Sequence, residues 1–298
     1  MLRARLERQD SLWHSPNMLP GAVIGGIAFV FGLVIGSFLN VCILRIPAGK
    51  SIVLPASACT KCGTPIKPWD NIPVLSYLIL RGKCRTCGTR ISPMYPAVEF
   101  LTGALFLLCY LAFGISLITV KWSIFSALIV VLVFTDIRER ILPDLVNFTG
   151  FAIGLVLSLF TPPSDGTALW LAGRVFAFPP PRPVLSLTDA LLGAAFGSGV
   201  LWAISEGYFR LRGREGMGLG DVKMMLLVGS FLGLRRTILT ILGGSLLGTV
   251  LGLAIIIIRR KGTDYELPFG AFLGGAALLV VFFGSSVVEW YASLLRFR

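Results

Sequence analysis

The 298-residue chain is 55% hydrophobic and only 14% charged, with 27 Lys and Arg against 15 Asp and Glu for a net charge of +12. A soluble domain of this length needs roughly 25% charged residues to cover its surface, so a globular cytosolic enzyme is excluded and a bilayer is the expected environment. The one histidine, His14, stands outside every apolar run. No HExxH site, His-ligated metal or Ser-His-Asp triad can be built there, and any catalysis falls to Asp, Glu, Lys, Cys or Ser.

Measured against the ~20 residues a helix needs to cross a bilayer, apolar runs predict about eight spans. They lie at about 20–42, 95–116, 118–136, 145–162, 186–207, 221–235, 237–258 and 268–293. The expected fold is an all-α polytopic membrane protein: a tail at 1–19, a first helix at 20–42, a small module at 43–94 and a larger membrane domain at 95–298. The first run is too long for a secretory signal and lacks a small-residue cleavage pattern after it. Gly25, Gly26, Gly32 and Gly36 give it a small face suited to close packing in lipid. An excess of Lys and Arg in such a protein is first an orientation signal. With 43–94 inside, the inside loops hold 17 of the 27 cations, which puts the module in the cytoplasm and both termini outside; Arg3, Arg5 and Arg8 in the leading tail argue the other way.

Between 48 and 94 the composition turns to Pro, Gly, Lys, Arg and Cys. Cys59-Thr-Lys-Cys62-Gly-Thr-Pro-Ile recurs as Cys84-Arg-Thr-Cys87-Gly-Thr-Arg-Ile, with 21 residues between the pairs. Each CxxC sets two thiolates on one turn, the next glycine permits the positive φ that turn needs, and two turns complete a closed tetrahedral site of four cysteines. The reading is a zinc-ribbon-like module whose metal is structural, since a small insertion has little core of its own. Two disulfides in an oxidising compartment and a redox CxxC are the competing readings. Cys42 and Cys109 sit in apolar runs and read as buried hydrophobes. The module is tethered to spans at both ends, so no nucleic-acid partner is expected.

Glu99, Asp136, Asp189, Glu206, Asp221 and Glu289 lie within or at the edges of apolar runs, where charge is costly and function is the default hypothesis. Asp136 closes the third span ahead of Pro143-Asp144. Asp221 opens the sixth after Gly216, Gly218 and Gly220, and is followed by Lys223. The adjoining apolar stretches are short, which suggests thinned, water-accessible membrane. Each aspartate has a plainer reading, a helix cap or a solvated interfacial charge; together, at one depth, they suggest a carboxylate dyad.

These residues carry a family resemblance from Gly36 to Gly270. The chain resembles bacterial prepilin peptidases, the type IV leader peptidase family of membrane aspartyl proteases. The matching stretches are Gly-Ser-Phe-Leu-Asn-Val at 36–41 with Arg45 and Pro47, the paired CxxC module with Ile72-Pro73-Val74, and Tyr95-Pro96 with Glu99. They continue with Asp136, Pro143-Asp144, Gly-x-Gly-Asp-Val-Lys at 218–223 and Pro268-Phe269-Gly270. The resemblance implies Asp136 and Asp221 as the catalytic pair, with Asp144, Gly218, Gly220 and Lys223 as motif residues in support. It further implies cleavage of type IV prepilins or type II secretion pseudopilins at the cytoplasmic face of a bacterial inner membrane. A second activity is also implied, methylation of the new amino terminus with S-adenosylmethionine, to which Glu99 is the residue provisionally linked. A transporter or a structural anchor of a secretion machine would share some of these features; no internal repeat of spans supports the former, and the anchor leaves both aspartates unexplained.

Overall fold

The computed structural model describes residues 18–162, 165–175, 180–214, 217–259 and 267–296. The 1–19 tail, apart from its last two residues, therefore lies outside the described residues, as does Gly216. Ten α-helices are described: α1 Met18–Arg45, α2 Leu75–Ile79, α3 Met94–Phe113, α4 Leu117–Glu139, α5 Asp144–Phe160, α6 Thr167–Val175, α7 Arg182–Arg212, α8 Leu219–Leu232, α9 Leu234–Arg259 and α10 Phe269–Arg296. No strand is named among the described residues, only two isolated bridges. Six helices, α1, α3, α4, α7, α9 and α10, hold stretches long and apolar enough to cross a membrane. At 17 and 14 residues, α5 and α8 fall short of that length.

Local chemistry sets the breaks. Ser116 caps α4 by accepting from the Thr119 amide, and Arg140, left-handed at φ 54°, ends it. Gly233 at φ 75° splits the apolar run 219–259 into α8 and α9. The stretch between the fourth and fifth predicted spans contains α6, whose first turn is held by Asp189: its carboxylate accepts from the amides of Gly166 at 3.1 Å and Ala168 at 2.6 Å.

The described residues form two compact units. One takes those up to Phe38 together with Ala56–Ile115; the other takes Leu39–Pro55 and those from Ser116 onward. In the first, α1 and α3 meet along Gly25, Gly32 and Gly36 of α1, whereas a Cβ on Gly26 would meet nothing within 4 Å. A Cβ on Gly32 would come within 2.8 Å of Gly103 Cα, and one on Gly36 within 2.7 Å of Glu99 Cα.

In the second unit α8 is the hub. Met224, Met225, Leu227, Val228, Phe231 and Leu232 are all fully buried, as expected of a helix apolar on every side. It packs on α5, α7, α9 and α10. Gly193 of α7 and Gly229 of α8 bring the two backbones into direct contact, and Gly150 and Gly154 of α5 receive Leu227 and Phe231. Asp221 thus stands on the first turn of a rod packed on several sides.

Candidate active site and metal centre

Asp136 lies in the last turn of α4 and Asp221 in the first turn of α8, and both are buried, at 6% and 8% exposure. Their carboxylates converge on the start of α10. The Ala271 amide donates to Asp136 Oδ2 at 2.7 Å. A Cβ added to Gly270 would sit 3.1 Å from Asp136 Oδ2 and 3.1 Å from Asp221 Oδ1. The plain cap reading of Asp221 does not describe its position, because Gly218 is the N-cap and no side chain caps the helix.

Leu142, in the linker from α4 to α5, is wedged beside this point. Its side chain is 2.8 Å from the Cβ position of Gly270 and 3.1 Å from that of Gly220. The amide of buried Asn147 donates to the Leu142 carbonyl at 3.4 Å, holding the linker down. Gly218 leaves open space beside Asp221, with nothing nearer than 3.9 Å to its Cβ position. Lys223 donates to both Asp144 oxygens, at 2.8 and 2.7 Å, joining the N-terminal part of α8 to the first residue of α5. That pair is half-exposed, at 33% and 58%, so its contribution to stability is about 0–1 kcal/mol. Gly270, Ala271 and Leu142 carry no chemistry of their own, which is why composition and spacing assign them no role.

Of the other carboxylates in apolar runs, Glu206 pairs with Arg210 one turn on, and Glu289 is exposed. Glu99 belongs to the first unit. It is buried on α3, where its carboxylate accepts from the Val74 amide at 2.7 Å and from Ser37. Val74 has φ 59° and ψ −48°, an uncommon conformation for a β-branched residue, with the Leu75 amide turned back to the Pro73 carbonyl. Glu99 therefore holds the Ile72-Pro73-Val74 turn in a strained form.

The four module cysteines come together, their sulfurs all within 4.8 Å of one another. The duplicated sequence builds the same knuckle twice. Cys59 donates its amide to Thr64 and Cys84 to Thr89, while the amides of Gly63 and Gly88 return to the Cys59 and Cys84 carbonyls. Gly63 and Gly88 have φ of 69° and 66°, the left-handed backbone for which glycine was expected. The Cys59–Cys87 sulfur distance is 3.8 Å, the edge of a tetrahedron with metal–sulfur bonds of about 2.3 Å. The Thr64 hydroxyl and amide draw the Cys62 thiol down to about 6. Cys87 is the reverse: the Thr89 amide lowers it, but desolvation and the three neighbouring sulfurs push it up to about 11. Four adjacent thiols oppose each other's ionisation, and a divalent cation reverses that opposition. Beside them Arg85 grips Asp70 at 2.6 Å and holds its carboxyl below the usual range.

Comparison with known proteins gives the family. Residues 122–253 match the type IV leader peptidase family, and residues 30–113 match the bacterial peptidase A24 N-terminal domain. The chain is 31% identical to a prepilin leader peptidase/N-methyltransferase of Pseudomonas putida, over 96% of this chain and 100% of that one. The chain belongs to the type IV leader peptidase family. Proteins of the same name from Neisseria gonorrhoeae and Bacillus subtilis are 34% and 33% identical, over 89% and 90% of this chain and 93% and 98% of theirs. No solved structure matches. As a leader peptidase with six helices among the described residues long and apolar enough to cross a membrane, the chain is a protease and a multi-pass bacterial membrane protein. Gly270 and Ala271 lie beyond the matched 122–253 segment, yet they contact the aspartates within it.

Proposed function

We propose that this leader peptidase cleaves the leader from type IV prepilins or type II secretion pseudopilins, with Asp136 and Asp221 as an aspartyl dyad. The observation that carries this reading is the convergence of both carboxylates on Gly270, from helices α4 and α8 that are separated in the chain by α5, α6 and α7. One carboxylate, ionised, takes a proton from a water aimed at the scissile carbonyl; the other, protonated, donates to the carbonyl oxygen. No covalent intermediate is needed. The Ala271 amide on Asp136 fixes one oxygen of that carboxylate, so the other is the one free to work. Which aspartate begins as base is a property of the pair.

The rest of the reading follows the same family. All eight apolar helices cross or enter the bilayer, α5 and α8 being short because the membrane is thin beside the dyad. The 43–94 module and the dyad face the cytoplasm of a bacterial inner membrane, where a substrate helix lies in lipid with its scissile bond at the surface. By function the chain divides into a first helix at 20–42, the module, and a protease domain at 95–298. Zinc is the metal that Cys59, Cys62, Cys84 and Cys87 hold; four thiolates leave no open position, so it supplies folding energy and no chemistry. The relatives' names include N-methyltransferase, which supports a second activity, read here as methylation of the new amino terminus from S-adenosylmethionine. Glu99 has its carboxylate committed to Val74 and Ser37.

The test is cleavage of a prepilin by the purified protein in detergent. Wild type shortens it at the leader junction, and Asp136→Asn or Asp221→Asn reduces the rate by at least ~10³-fold while leaving folding intact. Retained cleavage in either variant would falsify the dyad. Adding S-adenosylmethionine to the same reaction and finding no extra methyl group on the product would remove the second activity.

A further inference from the structure

The module's second knuckle carries an arrangement of charge that neither the metal nor the dyad uses. Beside it lies a cleft of about 590 Å³ lined by Tyr77, Arg81, Lys83, Arg90 and the Ser92-Pro93 pair, with three cations and no acid in its wall. Lys83 and Arg90 face each other across an antiparallel bridge, where like charges directly opposite destabilise. Arg81 and Gly82 form the centre of a tight turn at φ 51° and 66°, closed by the Lys83 amide on the Leu80 carbonyl. That turn favours Asn-Gly, so an arginine sits there against its backbone preference. Strain and like-charge opposition converge on one cleft, and a bound anion relieves that opposition.

Position supplies the rest. Ser92 and Pro93 immediately precede α3, so the cleft lies where the chain enters its second apolar helix. On α2, which contributes Tyr77, the side chains of Leu75, Leu78 and Ile79 are exposed, and at 100° per residue they share one stripe. An apolar stripe on the helix whose other side, through Tyr77, walls a basic cleft at the start of a span is the composition of an interfacial contact. We propose that this cleft binds a phosphate-bearing anion, the headgroup of an anionic phospholipid, while the α2 stripe enters the acyl boundary. The site is independent of the dyad and of prepilin as substrate.

The experiment uses the full-length protein in neutral detergent, with phosphatidylglycerol, phosphatidylcholine or inorganic phosphate added. Thermal stability and lipid retention in native mass spectrometry are the readouts. Wild type retains and is stabilised by phosphatidylglycerol over phosphatidylcholine. Lys83→Gln weakens that retention about fivefold, and Lys83→Gln with Arg90→Gln about thirtyfold, at roughly a factor of five per cation. Without lipid, Lys83→Gln is as stable as wild type or more so, because the opposed pair is relieved. Metal content reports whether the module is folded; if the double variant loses metal, the single variant decides. Undiminished phosphatidylglycerol retention in a metal-loaded variant would overturn the site, and protection by inorganic phosphate equal to that by phosphatidylglycerol would overturn the lipid assignment.

Discussion

At the scale of residues, the geometry makes Gly270 as demanding as the aspartates. Any side chain there places a carbon 3.1 Å from both carboxylates and 2.8 Å from Leu142, tighter than ordinary contact, so something must move. Displacements of about 1 Å in a catalytic constellation cost on the order of 10²-fold in rate. Gly270→Ala is expected to lower prepilin cleavage by about that factor, with thermal stability in detergent changed little. Gly275→Ala on the same helix, where a Cβ meets nothing within 4 Å, is the control and should cleave like wild type. Equal activity in both variants would show that the start of α10 does not touch the chemistry. The sequence marks Gly270 as a motif residue, but its role depends on contacts with Asp136 and Asp221, far away in the chain. The same limit applies to the carboxylates: cost of burial singles out six in apolar runs, and only packing distinguishes Asp189, which caps α6, from the two that meet at Gly270.

At the scale of elements, the knuckles were the most legible part because their chemistry is local. Two thiols, a left-handed glycine and a returning threonine carbonyl fit within six residues, and the duplication repeats the pattern. Cys59→Ser is expected to lose the metal and, with it, the order of residues 56–93, since structural zinc supplies about 10 kcal/mol or more to such modules; metal analysis and proteolysis of the purified variant read both. A wild-type preparation holding two disulfides and no zinc would reverse the assignment. Apolar length also predicted eight of the ten described helices to within about five residues, including the break near 235, but neither α2 nor α6. What it did not give is the role of α8. As a 14-residue helix it is too short to cross unaided, and it matters because Gly193 and Gly229 let it lie against α7 backbone to backbone. Gly229→Ala therefore overpacks the hub that carries Asp221. A loss of about 1–3 kcal/mol is expected, seen as a lower unfolding temperature in detergent, and no change there would mean that α7 and α8 part easily.

At the scale of the whole molecule, the charge distribution argues for the proposed orientation, and one measurement tests it. Seventeen of the 27 cations fall in the loops placed inside, eight of them between residues 43 and 94, and Lys and Arg near span ends are retained on the cytoplasmic side. The arginines of the leading tail oppose that bias. Many of the module's cations are exposed, among them Lys50, Lys61, Lys67, Arg81, Lys83 and Arg90, which makes the module a substrate for trypsin from whichever side it faces. In inverted inner-membrane vesicles trypsin is expected to cut within 43–94 and release the first helix from the remainder. In spheroplasts, with the opposite face presented, the chain should stay intact at those positions. A module cut only in spheroplasts would reverse the topology and, because the start of α3 and the dyad helices follow in fixed alternation, would move the cleavage site to the wrong side of the membrane for a leader retained in the cytoplasm.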